Sequence, residues 1–310
     1  CAGTGAFTLA FKNTNHVKTV FANDIVESSK KIYDANFDHK LTLADMHDIR
    51  TEDFPSHDIL TSGFPCQPFS VAGYREGFED ERSNVFWKIC DILDHHRPEC
   101  VILENVKNLV THDDGKTFET VKVNLVQRGY HLSYKVLNTA ELTGVPQHRE
   151  RIYIVGVRSK EVHERFSLEF PKVEKKCVSG YFEEDIPDDK YYYTENLKAY
   201  SLLEEAVTQE NTIYQFRRQY VRENKSKECP TLTANMGTGG HNVPIILDYT
   251  NRIRKFTPRE CFNFQGFPQS YNLDTCELSN SALYKLAGNA VSVPVVQLIA
   301  NRLVPLLCPQ

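Results

Sequence analysis

The chain has 310 residues, 41% of them hydrophobic and 25% charged, with a formal net charge of −5; that balance is ordinary for a soluble globular protein and leaves room for one large domain with a smaller satellite. No apolar run reaches the length of a membrane span and no basic leader precedes an apolar region, so neither a membrane protein nor a secretory signal is expected. Nine cysteines, an odd number without a CxxC pair, fit neither a disulfide scaffold nor a zinc ribbon, and point to a reducing, intracellular setting.

The chain opens on a Gly-rich turn, Cys1-Ala2-Gly3-Thr4-Gly5. No strand stands before it, so native sequence carrying a strand is expected ahead of Cys1. Val17–Ala22 reads as a short strand ending at Asn23-Asp24. Ile25–Asn36 reads as a helix, with Ile25, Ser28 and Ile32 on one face. Asp58–Thr61 and Cys100–Leu103 read as strands, the second apolar on both faces. Between them lie a loop, Gly63–Ser83, and a helix carrying Val85, Ile89, Ile92 and Leu93 at helical spacing. Thr117–Arg128 is a further helix closed by Gly129, and Leu132–Leu137 and Ile152–Val157 are further strands. Strand–helix alternation with continuously apolar strands predicts an α/β fold built on a doubly wound, mostly parallel sheet.

After Pro171 the pattern changes. An acidic run and Tyr191-Tyr192-Tyr193 break the alternation, and Thr233–Gly240 forms a glycine-dense loop. Residues 172–255 are therefore expected to form a smaller second domain, with 1–171 and 256–310 making up the main one. The helical pattern returns at Thr257; Pro294 can start a helix whose Val295, Leu298, Ile299 and Leu303 share a face. Charge is segregated as well. Gln215–Glu260 holds nine Lys/Arg against four Asp/Glu, whereas Gly180–Glu210 holds nine acidic residues against Lys190 and Lys198. A basic face beside an acidic one would steer a polyanion to one side, although two solvated surfaces would give the same counts.

Several short constellations carry chemistry. In Gly3-Thr4-Gly5, backbone N–H groups at a turn opening into a helix can receive an anionic group or a cofactor carboxylate; a purely structural turn reads the same way. Asp24 ends the next strand, where an acidic side chain takes the ribose hydroxyls of a nucleoside cofactor or simply caps the following helix. Asp45 can accept from an adenine amino group or serve as a turn aspartate. Gly63-Phe64-Pro65-Cys66-Gln67-Pro68-Phe69-Ser70 is the sharpest feature. Its prolines hold a thiol in an exposed turn at the C-terminal end of a strand, the edge where doubly wound sheets place ligands; out of that setting a lone cysteine is usually a small buried hydrophobe. The polar stretch from Cys66 to Arg82, with Gly73 and Gly77 as hinges, has the make-up of a lid. Glu104-Asn105-Val106 follows a buried strand, where desolvation should raise a carboxyl pKa and fit it for acid catalysis, unless Glu104 is a solvated helix cap. In Gln147-His148-Arg149-Glu150-Arg151 strand alternation puts Arg149 and Arg151 on one side, suited to phosphate or a pyrimidine carbonyl; bridged surface arginines are the plain alternative.

This ordered set resembles the cytosine-C5 DNA methyltransferase family over almost the whole chain. The Pro-Cys-Gln turn, Glu104-Asn105-Val106, Gln147–Arg151, Arg259-Glu260-Cys261 with Gln265-Gly266-Phe267-Pro268, and Gly288-Asn289-Ala290-Val291 carry the likeness. The resemblance implies a cofactor-binding methyltransferase domain, with 172–255 as the target-recognition domain. It implies Cys66 attacking C6 of a flipped-out cytosine in duplex DNA, Glu104 at N3, and Arg151 at O2 with Arg149 in support. It sets Gly3, Gly5, Phe7, Asp24, Ile25, Asp45, Met46, Pro65, Val85, Asn289 and Ala290 around S-adenosylmethionine. It sets Gln67, Ser70, Arg82, Asn105, Thr231, Thr233, Gly239 and Gly240 against the DNA. No metal is implied. A monomer acting on double-stranded DNA in a bacterial cytoplasm, away from membranes and within a restriction-modification system, is the expectation. Two positions depart from the pattern: Cys1 stands where the family usually has a phenylalanine packing on adenine, and Ala6 where it often has a glycine. With the first strand missing, a weakened cofactor pocket is expected. An RNA-directed enzyme on the same scaffold would carry a Cys-Phe-Thr signature, whereas Cys261-Phe262-Asn263 lies in the returning helix. An inactive regulatory relative would lack the Pro-Cys or Glu-Asn-Val residues.

Overall fold

A computed structural model describes residues 1–65, 85–185, 188–217, 219–237 and 243–308. They fall into two compact units. The first comprises Cys1–Leu137, Glu150–Phe170 and Val295–Gln310, the second Asn138–Arg149 and Pro171–Pro294.

The first unit is built on strands. β1 (Asn23–Asp24) and β2 (Thr42–Leu43) pair in parallel. A four-stranded sheet runs β3 (Ile59–Gly63), β4 (Cys100–Val106), β6 (Glu150–Val157), β5 (His131–Asn138) in spatial order. β4 is central, and Val101, Ile102 and Leu103 are fully buried; apolar side chains on both faces are what a strand covered on both sides requires. The helices Val85–His96 and Lys116–Gln127 present Phe86, Ile89, Leu93, Phe118, Val121 and Leu125 to a core shared with Val101, Leu103 and Ile154. Each such side chain contributes about 1.5–3 kcal/mol when fully buried.

Two sequence expectations are refined here. The sheet is mixed: β3 and β4 are parallel, but β4 and β6 are antiparallel. The connection from β5 back to β6 is short, and parallel neighbours need a long crossover. The strand expected over Val17–Ala22 forms a ladder only at Asn23–Asp24. Residues 17–22 instead border a cavity of about 670 Å³ that Ile59–Ser62 also line, and among the described residues they form no ladder.

The second unit holds an antiparallel sheet in the order β10 (Ile253–Lys255), β9 (Ile245–Leu247), β7 (Tyr214–Arg217), β8 (Tyr220–Glu223). Its small core is Leu203, Val207, Tyr214, Ile245 and Ile253. The helix Pro258–Phe264 starts with a complete capping box between Thr257 and Glu260, which satisfies two of the helix's unpaired N–H groups. Glu260 is fully buried and chelated by Arg254, at 2.7 and 2.8 Å. Burial pushes its carboxyl upward while the Arg254 hydrogen bonds and charge pull it back.

The stretch Asn280–Leu307 has the length and the mean hydropathy, 1.6, of a membrane span, which no single apolar run had suggested. It consists of two helices, Asn280–Asn289 and Val293–Leu307, and more than half of its most apolar window is buried. Val295, Val296, Ile299 and Leu303 are wholly enclosed. This apolar surface serves a protein core, as the expected helix after Pro294 does.

Candidate active site

Three strand ends meet in the first unit. Gly63 of β3 lies opposite Glu104 of β4, and across the antiparallel ladder Glu104 faces Tyr153 and Val106 faces Arg151 of β6. This register brings the C-terminal ends of β3 and β4 to the start of β6. Glu104 is 7% exposed, and Arg151 Nε stands 3.2 Å from its Oε1. The Arg151 guanidinium also donates through Nη1 to the Glu150 carbonyl, at 2.9 Å. Asn105, next along β4, donates from Nδ2 to the Phe64 carbonyl at 2.9 Å and accepts the Val106 N–H at 2.8 Å. A buried amide thereby pins the main chain of β3 just before exposed Pro65. Cys66, Gln67, Ser70 and Arg82 follow Pro65 but lie outside the described residues, as do Gly239 and Gly240.

A carboxylate and a guanidinium fixed side by side, each nearly enclosed, form a planar edge of acceptors and donors. Such an edge matches a flat ligand that offers both kinds of group along one side.

Arg149 has a different seat. It is 2% exposed and lies in the second unit. Its guanidinium donates to the carbonyls of Leu232 (2.9 Å), Gly288 (3.2 Å) and Ala290 (2.7 Å). Those carbonyls enclose it, so the expected pair of guanidiniums aimed at one ligand is not what the structure forms. Alternation counts positions along a strand, but Arg149 precedes β6, where the chain still belongs to the preceding turn. Thr231 donates to the His148 carbonyl at 2.6 Å and Thr233 to Asn235; Asn289 is exposed beside buried Ala290.

The glycine turn forms a cradle in the first unit. Gly3 and Gly5 take φ values of +53° and +73°, and a Cβ on Gly5 would come within 2.3 Å of Phe37. Over Gly3, by contrast, a Cβ would meet nothing within 4 Å, so that face is open. Asp24 accepts the Gly3 N–H at 2.9 Å and the Val26 N–H at 3.0 Å: it ties the turn to the residue that precedes the next helix. Ile25 is 65% exposed beside it. Asp45 holds the His47 N–H and ring Nδ1, both at 2.9 Å, and these hydrogen bonds keep its carboxyl below the usual carboxylate range. Phe7 and Met46 line the cavity described above, and Val85 packs at the edge of the core.

The family model of the C-5 cytosine-specific DNA methylases matches residues 1–305. The chain belongs to that family. It is a DNA cytosine-5 methyltransferase. It is similar to the type II methyltransferase M.Bsp6I of Bacillus sp. (strain RFL6), 48% identical over 305 residues covering 97% of this chain and 96% of the relative. It is 36% identical to the type II methyltransferase M.HaeII of Haemophilus aegyptius over 304 residues, 98% of this chain and 91% of that one. Among solved structures, the S. pombe Dnmt2 methyltransferase superposes with a TM-score of 0.74 at 24% identity, covering 98% and 97% of the two chains; this supports the fold.

For this methyltransferase, Gln147 is the residue that motif reading undervalued. Buried completely, it donates to the Phe264 carbonyl at 2.6 Å and accepts the Leu232 N–H at 3.3 Å, while Gln265 donates to the Ala287 carbonyl at 2.6 Å. With Arg149 these amides bind the 147–149 turn, the irregular segment Thr231–Thr233 and two helix ends into one network. The available signal was the residue type: an amide at a position with no solvent needs both its donors and its acceptor matched.

Proposed function

We propose that this methyltransferase works through Cys66 as nucleophile, with Glu104 and Arg151 holding the target cytosine, and that it takes its methyl group from S-adenosylmethionine as the modification enzyme of a type II system. The Glu104–Arg151 pair, at the same strand ends that Asn105 ties to the approach to Cys66, is the observation that supports this reading.

The chemistry follows from what cytosine lacks. Its C5 is a poor nucleophile; a thiolate added at C6 makes C5 enamine-like. Cys66 forms the C6–S bond, the ring's electron pair moves toward N3, and Glu104 stabilises the charge there through a hydrogen bond or a shared proton. Arg151 donates to O2 and keeps the carboxyl in place. When C5 has lost its proton, the pair on that carbon re-forms the double bond and expels the Cys66 thiolate. The target lies inside a duplex, so it reaches this corner only by leaving the stack.

When bound, S-adenosylmethionine supplies an electrophilic methyl group. The residues that fit it are the open face over Gly3, the Asp24 carboxylate, exposed Ile25, and Asp45, whose hydrogen bonds keep it ionised. Residues 172–255, which contain β7 to β10 with a core of their own, are proposed as the target-recognition segment, and the chain as a monomer acting in a bacterial cytoplasm.

The test is covalent trapping. Duplex DNA with 5-fluorocytosine at the target position should hold the chain in a denaturation-resistant adduct, because fluorine at C5 blocks the elimination. Absence of an adduct, or an adduct still formed by Cys66→Ser, would contradict the assignment.

A further inference from the structure

The basic stretch Gln215–Glu260 is not uniformly available to a ligand. Arg254 is chelated by Glu260. Arg252 donates to Asp189 at 3.0 Å, and its guanidinium lies 3.6 Å from the centre of the Tyr192 ring. Arg259 donates to the Tyr271 carbonyl at 2.7 Å, and half-buried Lys255 sits over the Tyr191 ring. Arg218 lies outside the described residues; among the described ones four cations remain: Arg217, Arg222, Lys225 and Lys227. All are exposed, and none has a carboxylate at salt-bridge distance among the described residues. They lie on the β7–β8 hairpin and the turn after it.

The register of that hairpin sorts its two faces. Phe216 pairs with Val221 and Tyr214 with Glu223; the apolar three pack into the core of the unit. Gln215 pairs with Arg222 and Arg217 with Tyr220, on the opposite face. Arg217 and Arg222 are thus diagonal neighbours, roughly 7–8 Å apart by sheet geometry, and nothing in the described fold neutralises them. Arg217 is also oriented: its Nη2 donates to Oε1 of Gln215 at 3.0 Å, and Gln215 is only 9% exposed. Tyr220, on the same face, is 59% exposed. An apolar back, a cationic and aromatic front, and one guanidinium steadied by a neighbouring amide on the same face describe a ribbon made for a polyanion that carries planar acceptors.

We propose that the β7–β8 ribbon lies in the major groove of the target duplex, with Arg217 reading the O6 and N7 edge of a guanine and Arg222, Lys225 and Lys227 meeting phosphates. A two-stranded ribbon fits that groove, and a fixed guanidinium fork matches those two acceptors. This rests on the reading that residues 172–255 recognise the target.

Bisulfite sequencing of plasmids methylated by the full chain tests it. Arg217→Lys keeps the charge but loses the fork. Discrimination at one guanine of the site should fall about 10- to 100-fold, with the salt dependence of DNA binding unchanged. Arg222→Ala should weaken binding at all sites alike and make the slope of log Kd against log salt shallower by about one. Arg252→Ala, whose guanidinium Asp189 and Tyr192 already engage, should leave both as in the parent. Independently of any variant, replacing that guanine by 7-deazaguanine should weaken binding of the unaltered chain at least about tenfold. Parent-like specificity in Arg217→Lys together with indifference to 7-deazaguanine at every guanine overturns the proposal. If those results come from a chain that still methylates its site, the ribbon alone is refuted; a chain whose binding ignores DNA sequence altogether refutes the recognition segment as well.

Discussion

Arg149 and Arg151 are two positions apart, yet their surroundings differ in kind. Arg151 meets a carboxylate at the corner of three strand ends and keeps part of its surface open, with 14% of its side chain exposed. Arg149 is enclosed by three main-chain carbonyls, all of which accept from its guanidinium. Carbonyl dipoles satisfy a guanidinium's N–H groups without cancelling its charge, and they come from segments far apart in the chain, so Arg149 works as a tie. A carboxylate partner that is nearly but not fully enclosed makes a pair able to turn toward a ligand. The same side chain is therefore a tie where backbone surrounds it, and suits the proposed contact to the base where a carboxylate adjoins it and part of its surface is exposed.

That contrast can be broken in measurable ways. Glu104→Gln keeps a hydrogen-bonding partner for Arg151 but removes the charge and the proton that the proposed role at cytosine N3 requires. Its kcat should fall about 10²- to 10⁴-fold, while stability changes by about 1 kcal/mol. A parent-like kcat would remove Glu104 from the chemistry. Arg149→Met should show the reverse. Three buried carbonyls lose charge-assisted donors, each commonly contributing about 1.5–3 kcal/mol and not additively, so urea unfolding should show a loss of at least about 3 kcal/mol. Should Arg149→Met leave stability intact and depress kcat alone, the division drawn between the two arginines is wrong.

Asn105→Ala probes the link between them and the nucleophile. Removing the donor to the Phe64 carbonyl should cost about 1–3 kcal/mol and lower the yield of the 5-fluorocytosine adduct at fixed time; unchanged trapping would mean that β3 needs no pin. The smallest effect concerns a half-buried ionisable ring. His57 engages the Pro55 carbonyl through Nδ1, at 2.8 Å, while its Nε2 is buried without a partner among the described residues. Burial holds its pKa below the ordinary 6.5. The unfolded chain then binds more protons than the folded one in that window. Stability is fully present above pH 6.5 and declines as pH falls through the lowered value, at up to about 1.4 kcal/mol per pH unit. His57→Gln should flatten that part of the stability–pH curve, and an equal slope in both proteins would remove His57 as its source.

Much of this was legible from residue order. Continuous apolar runs gave β3, β4 and β6, and helical spacing gave Val85–His96 and the helix after Pro294, because burial on both faces or on one stripe imposes a period that survives in one dimension. The residues proposed for the chemistry were also visible, since proline-framed Cys66, Glu104 and Arg151 each adjoin such a run in the sequence. Three things were not visible. The antiparallel setting of β6 depends on which neighbour it pairs with, and strand pattern is blind to that. The fate of Arg149 depends on carbonyls at Leu232, Gly288 and Ala290, up to 141 positions away, and every residue has a carbonyl. The nine cations of the basic stretch counted alike, yet only packing decides which are chelated, as Arg254 is, and which stand open, as Arg217 does. The sequence by itself determined which side chains are available for chemistry and which strand ends lie next to them, since both follow from side-chain type and local period. Tertiary structure alone decided which charges are free to act, because a charge is neutralised by neighbours in space, and those neighbours are set by folding rather than by order.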